Sequence, residues 1–457
     1  MTSASTSLEH GRVPFPAGLT NAFIFAAFNA LSFQIILSSP MVLYAKSLDA
    51  SATVLGILSG MMPLLVIFQI PAAGHVERIG YKRFVYAGWG TRVMFIFAMA
   101  LVPLTGFFLK PETLLALMLM LLFGFNLSRG ISSCAWLPWI TALVPAALRG
   151  KYLARDTAVQ NLASFITFLI AAACLAGDPR YWQFAILFLF SATTGAVSLT
   201  FLKRIPDAEM SEEIRASKGR VPWLEMLRFP PFRKLLWALV GYSIAYGGMT
   251  AFTVAFLKTE TAMSEGKILL VTSTAFLGGL SSLWLLGSRL DRLGSKPVLT
   301  FCFSAWVAVL AGWMALSGGV FPVQLSIVLL LQFMMGLLAA LIQMAITRLA
   351  MAIVPVMGRN HFFAIYSTVG NVTLGLAPIA WGLLIDAVGA HSPIWLGLAW
   401  NRYTVFFAAA ALAFTISLTL AQRLHEPEAA SMEDLLRDIL IQSPQRFWIR
   451  FWPRGGA

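Results

Sequence analysis

The stretch GSRLDRLGSKP at residues 287–297 is a short polar segment between two long apolar runs, and AGHVERIGYKR at residues 73–83 repeats most of its pattern. When the two stretches are aligned, an acidic residue, an arginine, a glycine and a lysine coincide. The paired glycines are Gly80 and Gly294, which lie 214 residues apart. A stretch repeated at this distance raises the question of whether the chain contains two copies of one unit.

A second pair of stretches gives nearly the same spacing. VPAALRGKYLA at residues 144–154 aligns with VPVMGRNHFFA at residues 354–364, which lies 210 residues further along the chain. Two matches at almost one spacing predict an internal duplication, in which each half of the chain is one structural repeat.

The composition places both repeats in a membrane. Of the 457 residues, 58% are hydrophobic and only 12% are charged, whereas about a quarter of the residues of a soluble domain are charged. The mean hydropathy is +0.78. Apolar runs of about 20 residues, each long enough to cross roughly 30 Å of hydrocarbon, recur along almost the whole chain. We therefore predict an all-α, polytopic membrane protein rather than a soluble one.

Apolar length and polar punctuation divide the chain into spans and polar segments. A cytoplasmic tail at 1–18 precedes a six-helix bundle at 19–202, a central loop at 203–233, a second six-helix bundle at 234–422 and a final tail at 423–457. The twelve predicted spans are 19–45, 52–73, 84–108, 113–141, 155–176, 182–202, 234–257, 267–286, 298–317, 321–346, 362–386 and 402–421.

The distribution of charge predicts the side of the membrane that each loop faces. If the N-terminus is cytoplasmic, the cytoplasmic segments hold about 25 of the 33 lysines and arginines. Positive charge is retained on the cytoplasmic side during insertion, so both termini are predicted to be inside. The net charge of +13 is thus an orientation signal, and no nucleic-acid partner is expected. The six basic residues of the outer loops are Lys46, Lys110, Arg180, Lys258, Lys267 and Arg402.

The repeated polar stretch resembles the loop between the second and third helices of the major facilitator superfamily. The pattern of that loop is G-x-x-x-[DE]-R-x-G-[RK]-[RK], and it recurs between the eighth and ninth helices. The second copy departs from the pattern at Ser295, and the first copy departs at Ala73 and Tyr81. The resemblance covers about residues 19–421. It implies twelve transmembrane helices in two pseudosymmetric six-helix halves, and a transporter rather than an enzyme, working by alternating access.

The repeated stretch also supplies candidates for a conformational latch on the cytoplasmic side. An acidic side chain at the end of a helix can accept hydrogen bonds from an arginine or from a neighbouring helix N-terminus. The alternative is that these charges only fix the topology of the loops. The candidates are Gly287, Asp291 and Arg292, and in the first copy Glu77 and Arg78.

Polar residues inside the spans are the candidates for solute binding. In the resembled fold the first, fourth, seventh and tenth helices line a central cavity near the midplane. Packing between helices is the alternative role for such residues. The candidates are Asn29 and Gln34 in the first span, Asn126 and Arg129 in the fourth, Tyr242 and Tyr246 in the seventh, and Gln332 and Gln343 in the tenth.

Arg129 is the most informative candidate, because an arginine near the middle of a span costs several kcal/mol unless it faces a wet cavity or a partner. Spacings of three and four predict that Asn126, Arg129 and Ser133 share one helix face. A guanidinium in a cavity favours an anionic solute or a solute carboxylate. The alternative is a structural arginine that bonds to neighbouring helices. Arg92 is expected to be structural, because it lies nearer the cytoplasmic end and can snorkel.

The sequence leaves the energy source open. It contains no phosphate-binding loop of the form G-x-x-x-x-G-K-[ST], and no cofactor or metal motif. The three cysteines lie in apolar runs and are expected to be packing residues. The acidic residues of the spans, Asp156 and Asp386, are predicted to lie near helix ends. Uniport, exchange, and ion coupling through Asp386 or Glu77 all stay open.

The tail after the last span, SMEDLLRDILIQSPQRFWIRFWPR, has an apolar helical face followed by alternating aromatic residues and arginines. These features predict a segment on the inner leaflet, with a partner-binding helix as the alternative. The expected partners are a small-molecule solute, membrane lipids and, in the coupled modes, an ion. The predicted location is a bacterial inner (cell) membrane. The alternative to a solute transporter is a sensor or a lipid scramblase on the same scaffold.

Overall fold

The described part of the chain contains twelve helices that are long and apolar enough to cross a membrane, which confirms the predicted all-α architecture. The computed structural model describes residues 16, 18–145, 148–177, 179–208, 223–286, 294–353 and 359–424. The predicted tail segment after 424 and most of the central loop lie outside these residues. We number the spans α1 to α12, with α1 to α6 in the N-terminal half and α7 to α12 in the C-terminal half.

Several spans of the N-terminal half are built from more than one helical segment. Short 3₁₀ turns at Leu65–Phe68 and Val102–Phe107 belong to α2 and α3. The α-helical segments are Thr20–Leu37 and Ser39–Ser47 in α1, Ala52–Leu64 and Gln69–Ile79 in α2, Tyr81–Leu101 in α3, Pro111–Ser133 and Trp136–Leu143 in α4, Arg149–Cys174 in α5 and Tyr181–Arg204 in α6.

The C-terminal half also has six spans, of which only α7 is divided into two segments, and it adds a small hairpin. A short helix at Trp223–Arg228 precedes α7, and β1 (Ile394–Trp395) pairs antiparallel with β2 (Leu398–Ala399) between the last two spans. The spans are Pro230–Tyr246 and Met249–Thr259 in α7, Glu265–Leu286 in α8, Ser295–Ser317 in α9, Leu325–Ile353 in α10, Arg359–Val388 in α11 and Arg402–Gln422 in α12.

The repeated glycines occupy the same structural position in the two halves. Gly80 directly precedes α3 with φ +86° and ψ 151°, and Gly294 directly precedes α9 with φ +81° and ψ 166°. Glycine adopts positive φ readily because it has no Cβ to clash with the backbone. The duplication predicted from the sequence is therefore visible in the backbone at this turn.

The first helix of each half is interrupted. The segments of α1 are separated at Ser38, which is extended, and those of α7 at Gly247 and Gly248, the latter with φ +80°. The short segments that follow, Ser39–Ser47 and Met249–Thr259, pack against each other across the two halves. The first helix of each half is thus interrupted at a corresponding place inside the bundle.

The halves are in close contact along α2 and α11. We call the end of the bundle where α1 begins and α12 ends the terminal face, and the opposite end the far face. Near the far face, a Cβ added to Gly56 would overlap the carbonyl oxygen of Pro378, and one added to Gly60 would overlap that of Gly375. Only glycine permits so close an approach of two helices.

Asp386 completes this contact at the far face. Its Oδ1 accepts a hydrogen bond from the backbone N–H of Ala52 at 3.0 Å, and its Oδ2 accepts from the N–H and the hydroxyl of Thr53 at 2.8 and 2.6 Å. The carboxylate at the end of α11 therefore caps the N-terminus of α2, which belongs to the other half. Toward the terminal face, a pocket of about 150 Å³ separates the same two helices.

The apolar core consists of two clusters of buried side chains. One large cluster of buried side chains passes through both halves and includes Trp306, Trp313 and Phe256. A smaller cluster, which includes the fully buried Trp139, lies at the terminal face of the N-terminal half. The continuous core therefore joins the halves, and the smaller cluster belongs to one half alone.

Candidate functional site

A cavity of about 230 Å³ lies inside the N-terminal half, between α1, α3, α4 and α5. We call it the N-half cavity. Four aromatic side chains, two phenylalanines from α1 and one tryptophan each from α3 and α4, form much of its wall. The side chains that bring a charge, an amide or a hydroxyl are Asn29, Arg92, Arg129, Ser133, Asp156 and Gln160.

Arg129 lies on α4, in the turn before that helix is interrupted, and its side chain lines the N-half cavity. Its guanidinium makes no hydrogen bond or ion pair with another described residue. Ser133, one turn further on, accepts a hydrogen bond from Gln69 Nε2 at 2.5 Å, which ties the cavity wall to α2. The sequence-predicted anchor thus lies in a cavity.

Sequence analysis expected Arg92 to be a structural residue, on the ground that it could snorkel. The structure instead places it inside the helix bundle. It is 4% exposed, and its guanidinium lies over the rings of Trp89 at 4.6 Å and Phe125 at 5.0 Å. Cation–π contacts of this kind hold a guanidinium in place inside a protein. Its Nε is buried with no hydrogen-bond partner among the described residues. The packing of α3 on α4 covers Arg92, and sequence position alone could not indicate that.

Asp156 and Gln160 line this cavity, although sequence analysis proposed neither as a solute-binding residue. Asp156 Oδ2 accepts a hydrogen bond from Gln160 Nε2 at 2.6 Å, whereas Asp156 Oδ1 is buried with no hydrogen-bond partner among the described residues. The sequence placed Asp156 near a helix end because the apolar run begins at 155. The helix begins at Arg149, so Asp156 lies two turns inside it. The spacing of four between Asp156 and Gln160 was the available signal.

Asn29 contributes the remaining amide of the N-half cavity. Its Oδ1 accepts a hydrogen bond from Trp89 Nε1 at 3.2 Å, which fixes the amide orientation and leaves the nitrogen as a donor. Leu137, also in the cavity lining, is 61% exposed. The cavity therefore reaches the protein surface beside the part of α4 that lies toward the terminal face.

A second cavity, of about 270 Å³, lies between the two halves and is called here the interface cavity. It adjoins the interruptions of α1 and α7. Two buried oxygen atoms of its lining, Ser39 Oγ and Gln332 Oε1, have no hydrogen-bond partner among the described residues. None of the described residues that line it carries a charge. The candidates Gln34, Tyr246 and Gln332 therefore lie in a neutral, polar cavity.

The other solute-binding candidates line neither cavity. Asn126 is buried and donates from Nδ2 to the carbonyl oxygen of Leu122 at 3.0 Å, so it does not share the cavity face of Arg129. Three residues turn a helix by less than a full turn, which directs Asn126 into a helix contact instead. Tyr242 is buried and stacks on Tyr246 at 5.4 Å. Gln343 is exposed and donates to Thr347 Oγ1 at 3.4 Å.

Most of the latch candidates of the repeated stretch lie outside the described residues. Gly287, Asp291 and Arg292 lie outside the described residues, and the side chain of Glu77 does too. Arg78 is exposed near the end of α2. The cytoplasmic latch stays a prediction.

Comparisons with known proteins agree with the fold. The model of the Major Facilitator Superfamily matches residues 22–264 and 239–452. A D-xylose-proton symporter structure is similar with a TM-score of 0.70 and 12% identity, covering 91% of this chain and 99% of that one. A mutant of the nucleoside transporter NupG has a TM-score of 0.68 and 12% identity, with coverages of 90% and 100%.

A POT family transporter in complex with 5-aminolevulinic acid is also similar, with a TM-score of 0.66 and 14% identity, covering 91% of this chain and 98% of that one. Comparison with curated protein sequences gave no match. At these identities the structural likenesses establish the fold alone.

Proposed function

The chain belongs to the Major Facilitator Superfamily, and on this premise we propose that it moves a small organic anion across a membrane by alternating access. Transporters of this type are built from repeats that expose a site near the midplane to one side at a time. The single observation that supports an anionic solute is Arg129. Its guanidinium lines a cavity and has no ion-pair partner among the described residues.

An anion on Arg129 would offset the cost of a charge held inside the membrane-spanning region. Such a charge costs several kcal/mol unless water or a partner solvates it. A carboxylate or phosphate suits the planar guanidinium, which donates two parallel hydrogen bonds. Asn29 adds a neutral amide donor in the same cavity. Arg92 adds a second positive charge held between two rings.

The arrangement of the halves supports a state that opens toward the terminal face, which is the predicted cytoplasmic side. The contact of α2 with α11 is tight at the far face, and a pocket lies between the same helices toward the terminal face. Residues 19–202 and 234–422 are the two units that we propose move against each other. The proposed location is a cell membrane with both termini in the cytoplasm.

A lipid scramblase on the same scaffold is the second candidate, and the pocket between α2 and α11 is the feature that favours it. That pocket is lined by Ser367, Asn371 and the 62%-exposed Ile70, as a lateral opening to lipid would be. Its volume of about 150 Å³ is below the range of roughly 300–1,000 Å³ that drug-sized ligands occupy. A phospholipid is larger still, so solute transport has the better support.

The test is a thermal-shift screen of the purified protein against organic carboxylates and phosphates, followed by uptake into proteoliposomes. A ligand that binds the native state raises its apparent stability. We expect anions to raise the melting temperature of the wild type. We expect Arg129→Gln to weaken binding about tenfold or more, since a charge-assisted hydrogen bond contributes about 1.5–3 kcal/mol.

The matched control is Arg423→Gln, which removes an exposed arginine just after α12 and outside both cavities. This variant is expected to bind and transport like the wild type. If Arg129→Gln also kept wild-type affinity for the anion, the proposed anchor would be wrong. Stabilisation by lipids alone, with no response to soluble anions, would support the scramblase instead.

A further inference from the structure

The N-half cavity contains charges of both signs that do not pair with each other. Arg129 on α4 and Asp156 on α5 line the same cavity, and no ion pair joins them. Opposite charges in a confined space normally pair, because an unpaired buried charge is costly. Two unpaired charges of opposite sign that face one cavity form two poles. A solute with complementary poles would satisfy both.

The negative pole is one oxygen of Asp156. Gln160 holds the carboxylate in place through Oδ2, at 2.6 Å, and Oδ1 is left buried with no hydrogen-bond partner among the described residues. A carboxylate oxygen can accept about two hydrogen bonds, so this acceptor lacks its donor. Asp156 lines the cavity, so its carboxylate can serve as the acceptor for a positively charged donor on a bound solute.

The positive pole is Arg129, supported by Arg92. Arg92 is held between the rings of Trp89 and Phe125, so its position does not depend on a bound solute. Arg129 makes no such ring contact with a described residue and faces the cavity. With Arg92 fixed as a background charge, Arg129 is the guanidinium that can adjust to a solute carboxylate.

We propose that the solute of the N-half cavity is a small zwitterion, with its carboxylate on Arg129 and its ammonium group on Asp156. This inference rests on the proposed transport function and names the solute class for the same site. It replaces a simple anion by a molecule that carries both charges, such as an amino acid. Two complementary contacts also give selectivity, because a ligand that lacks one charge leaves a buried group unpaired.

The size and walls of the cavity limit the zwitterion further. A volume of about 230 Å³ is smaller than the roughly 300–1,000 Å³ typical of pockets for drug-sized ligands. Aromatic side chains, among them Phe33 and Trp136, form much of the wall. Such walls suit an apolar or aromatic side chain between the two charged groups. The solute class is therefore a free amino acid or a molecule of similar size.

The experiment compares ligands that differ by one charge. Purified protein is screened by thermal shift against free amino acids, ω-amino acids of two to six carbons and betaines. Each amino acid is tested beside its N-acetyl derivative, which keeps only the carboxylate, and its amide, which keeps only the ammonium group. The proteins are the wild type, Arg129→Gln, Asp156→Asn and the control Arg423→Gln.

We expect at least one amino acid to bind the wild type at least tenfold more tightly than its N-acetyl derivative and its amide. Asp156→Asn should abolish the preference over the N-acetyl derivative, and Arg129→Gln should abolish the preference over the amide. Arg423→Gln should leave both preferences unchanged. Asp156→Asn keeps the size of the side chain, and its melting temperature without ligand reports whether it folds.

Two results would overturn the zwitterion while leaving the proposed function in place. In the first, N-acetyl derivatives bind as well as free amino acids, and binding depends on Arg129 but not on Asp156. In the second, Asp156→Asn leaves the preference for the free amino acid over its N-acetyl derivative unchanged, so that another group takes the ammonium. If neither a member of this panel nor any of the organic carboxylates and phosphates of the first screen binds in a way that depends on Arg129, both the zwitterion and the anion transport proposal are wrong.

Discussion

Single glycines and buried charges determine local geometry in this protein. Gly80 and Gly294 have positive φ at corresponding turns. The side chain of Arg92 is buried and Asp156 has one buried carboxylate oxygen, at positions where composition alone would not place charge. The glycines are needed because residues with a Cβ rarely adopt these backbone angles, and the charged groups need hydrogen-bond or ion-pair partners. Each can be tested by a substitution that changes one property alone.

Gly80→Ala is expected to lower the stability of the protein by about 1–3 kcal/mol, because the backbone at φ +86° and ψ 151° lies in a region that residues with a Cβ rarely adopt. Nothing lies within 4 Å of a Cβ at this position, so the cost is conformational rather than steric. Gly90→Ala is the matched control, because it too has open space around the added Cβ but lies within α3. There alanine is expected to be neutral or stabilising. Melting temperatures in detergent check both, and equal shifts would contradict the explanation.

At the scale of helices, α2 and α11 form the contact that closes the far face. Glycines on both helices allow close approach, and the carboxylate of Asp386 caps the first turn of α2. Sequence analysis considered Asp386 only as a group that could couple an ion. Its partner residues lie more than 330 positions away in the chain, so its capping role depends on how the halves pack.

Asp386→Ala is expected to shift the protein toward a state open at the far face. Loss of an N-cap costs about 1–2 kcal/mol, which corresponds to about a tenfold change in the population of the two states. The reporter is a single cysteine introduced in place of Thr250, which lines the interface cavity. The three native cysteines are removed so that only this position can be labelled. We expect an impermeant maleimide added from the far side to label it faster in Asp386→Ala.

The control for this experiment is Asp49→Asn, which removes the charge of an exposed far-face carboxylate and keeps a side chain that tolerates the φ of 58° at this position. It is expected to be labelled at the wild-type rate. If Asp386→Ala were also labelled at that rate, the cap would stabilise α2 without affecting which face is open.

How much the sequence predicted depends on the distance over which each feature is encoded. The twelve spans are local, since each is an apolar run of sufficient length, and all twelve are confirmed. Arg129 lines a cavity, as the sequence predicted from the high cost of a charge that faces lipid. Asp156 and the burial of Arg92 were missed, because helix boundaries and the packing of α3 on α4 decide them. Asn126 was assigned to the wrong face for a different reason, because three residues turn a helix by less than a full turn.

At the scale of the whole molecule, the two halves meet tightly at one end of the bundle and enclose a neutral cavity near its middle. The N-half cavity with its charges belongs to one half alone, whereas the interface cavity requires both. Binding at Arg129 can therefore occur within one half, and transport requires the halves to move.

A covalent link between the halves at the far face is expected to stop transport and to preserve binding. Thr53 and Asp386 are in hydrogen-bond contact across the interface, so cysteines at these positions are suited to oxidative cross-linking in a background without the native cysteines. We expect uptake to stop on oxidation and to return with a reductant, while affinity in detergent changes less than about twofold. The two single-cysteine variants are the controls. Uptake by the cross-linked protein at the uncross-linked rate would exclude far-face opening from the cycle.

The interruption of α1 has an electrical consequence. The segment Ser39–Ser47, between the interface cavity and the far face, has nine residues and a length of about 14 Å at 1.5 Å per residue. Hydrocarbon across a bilayer is roughly 30 Å thick. In the proposed cycle, one state is open to the terminal side. In that state water fills the interface cavity and conducts ions, so the membrane voltage falls across this short segment. The electric field there is about twice that in the surrounding lipid, which makes any charged solute that passes it a sensor of the membrane potential.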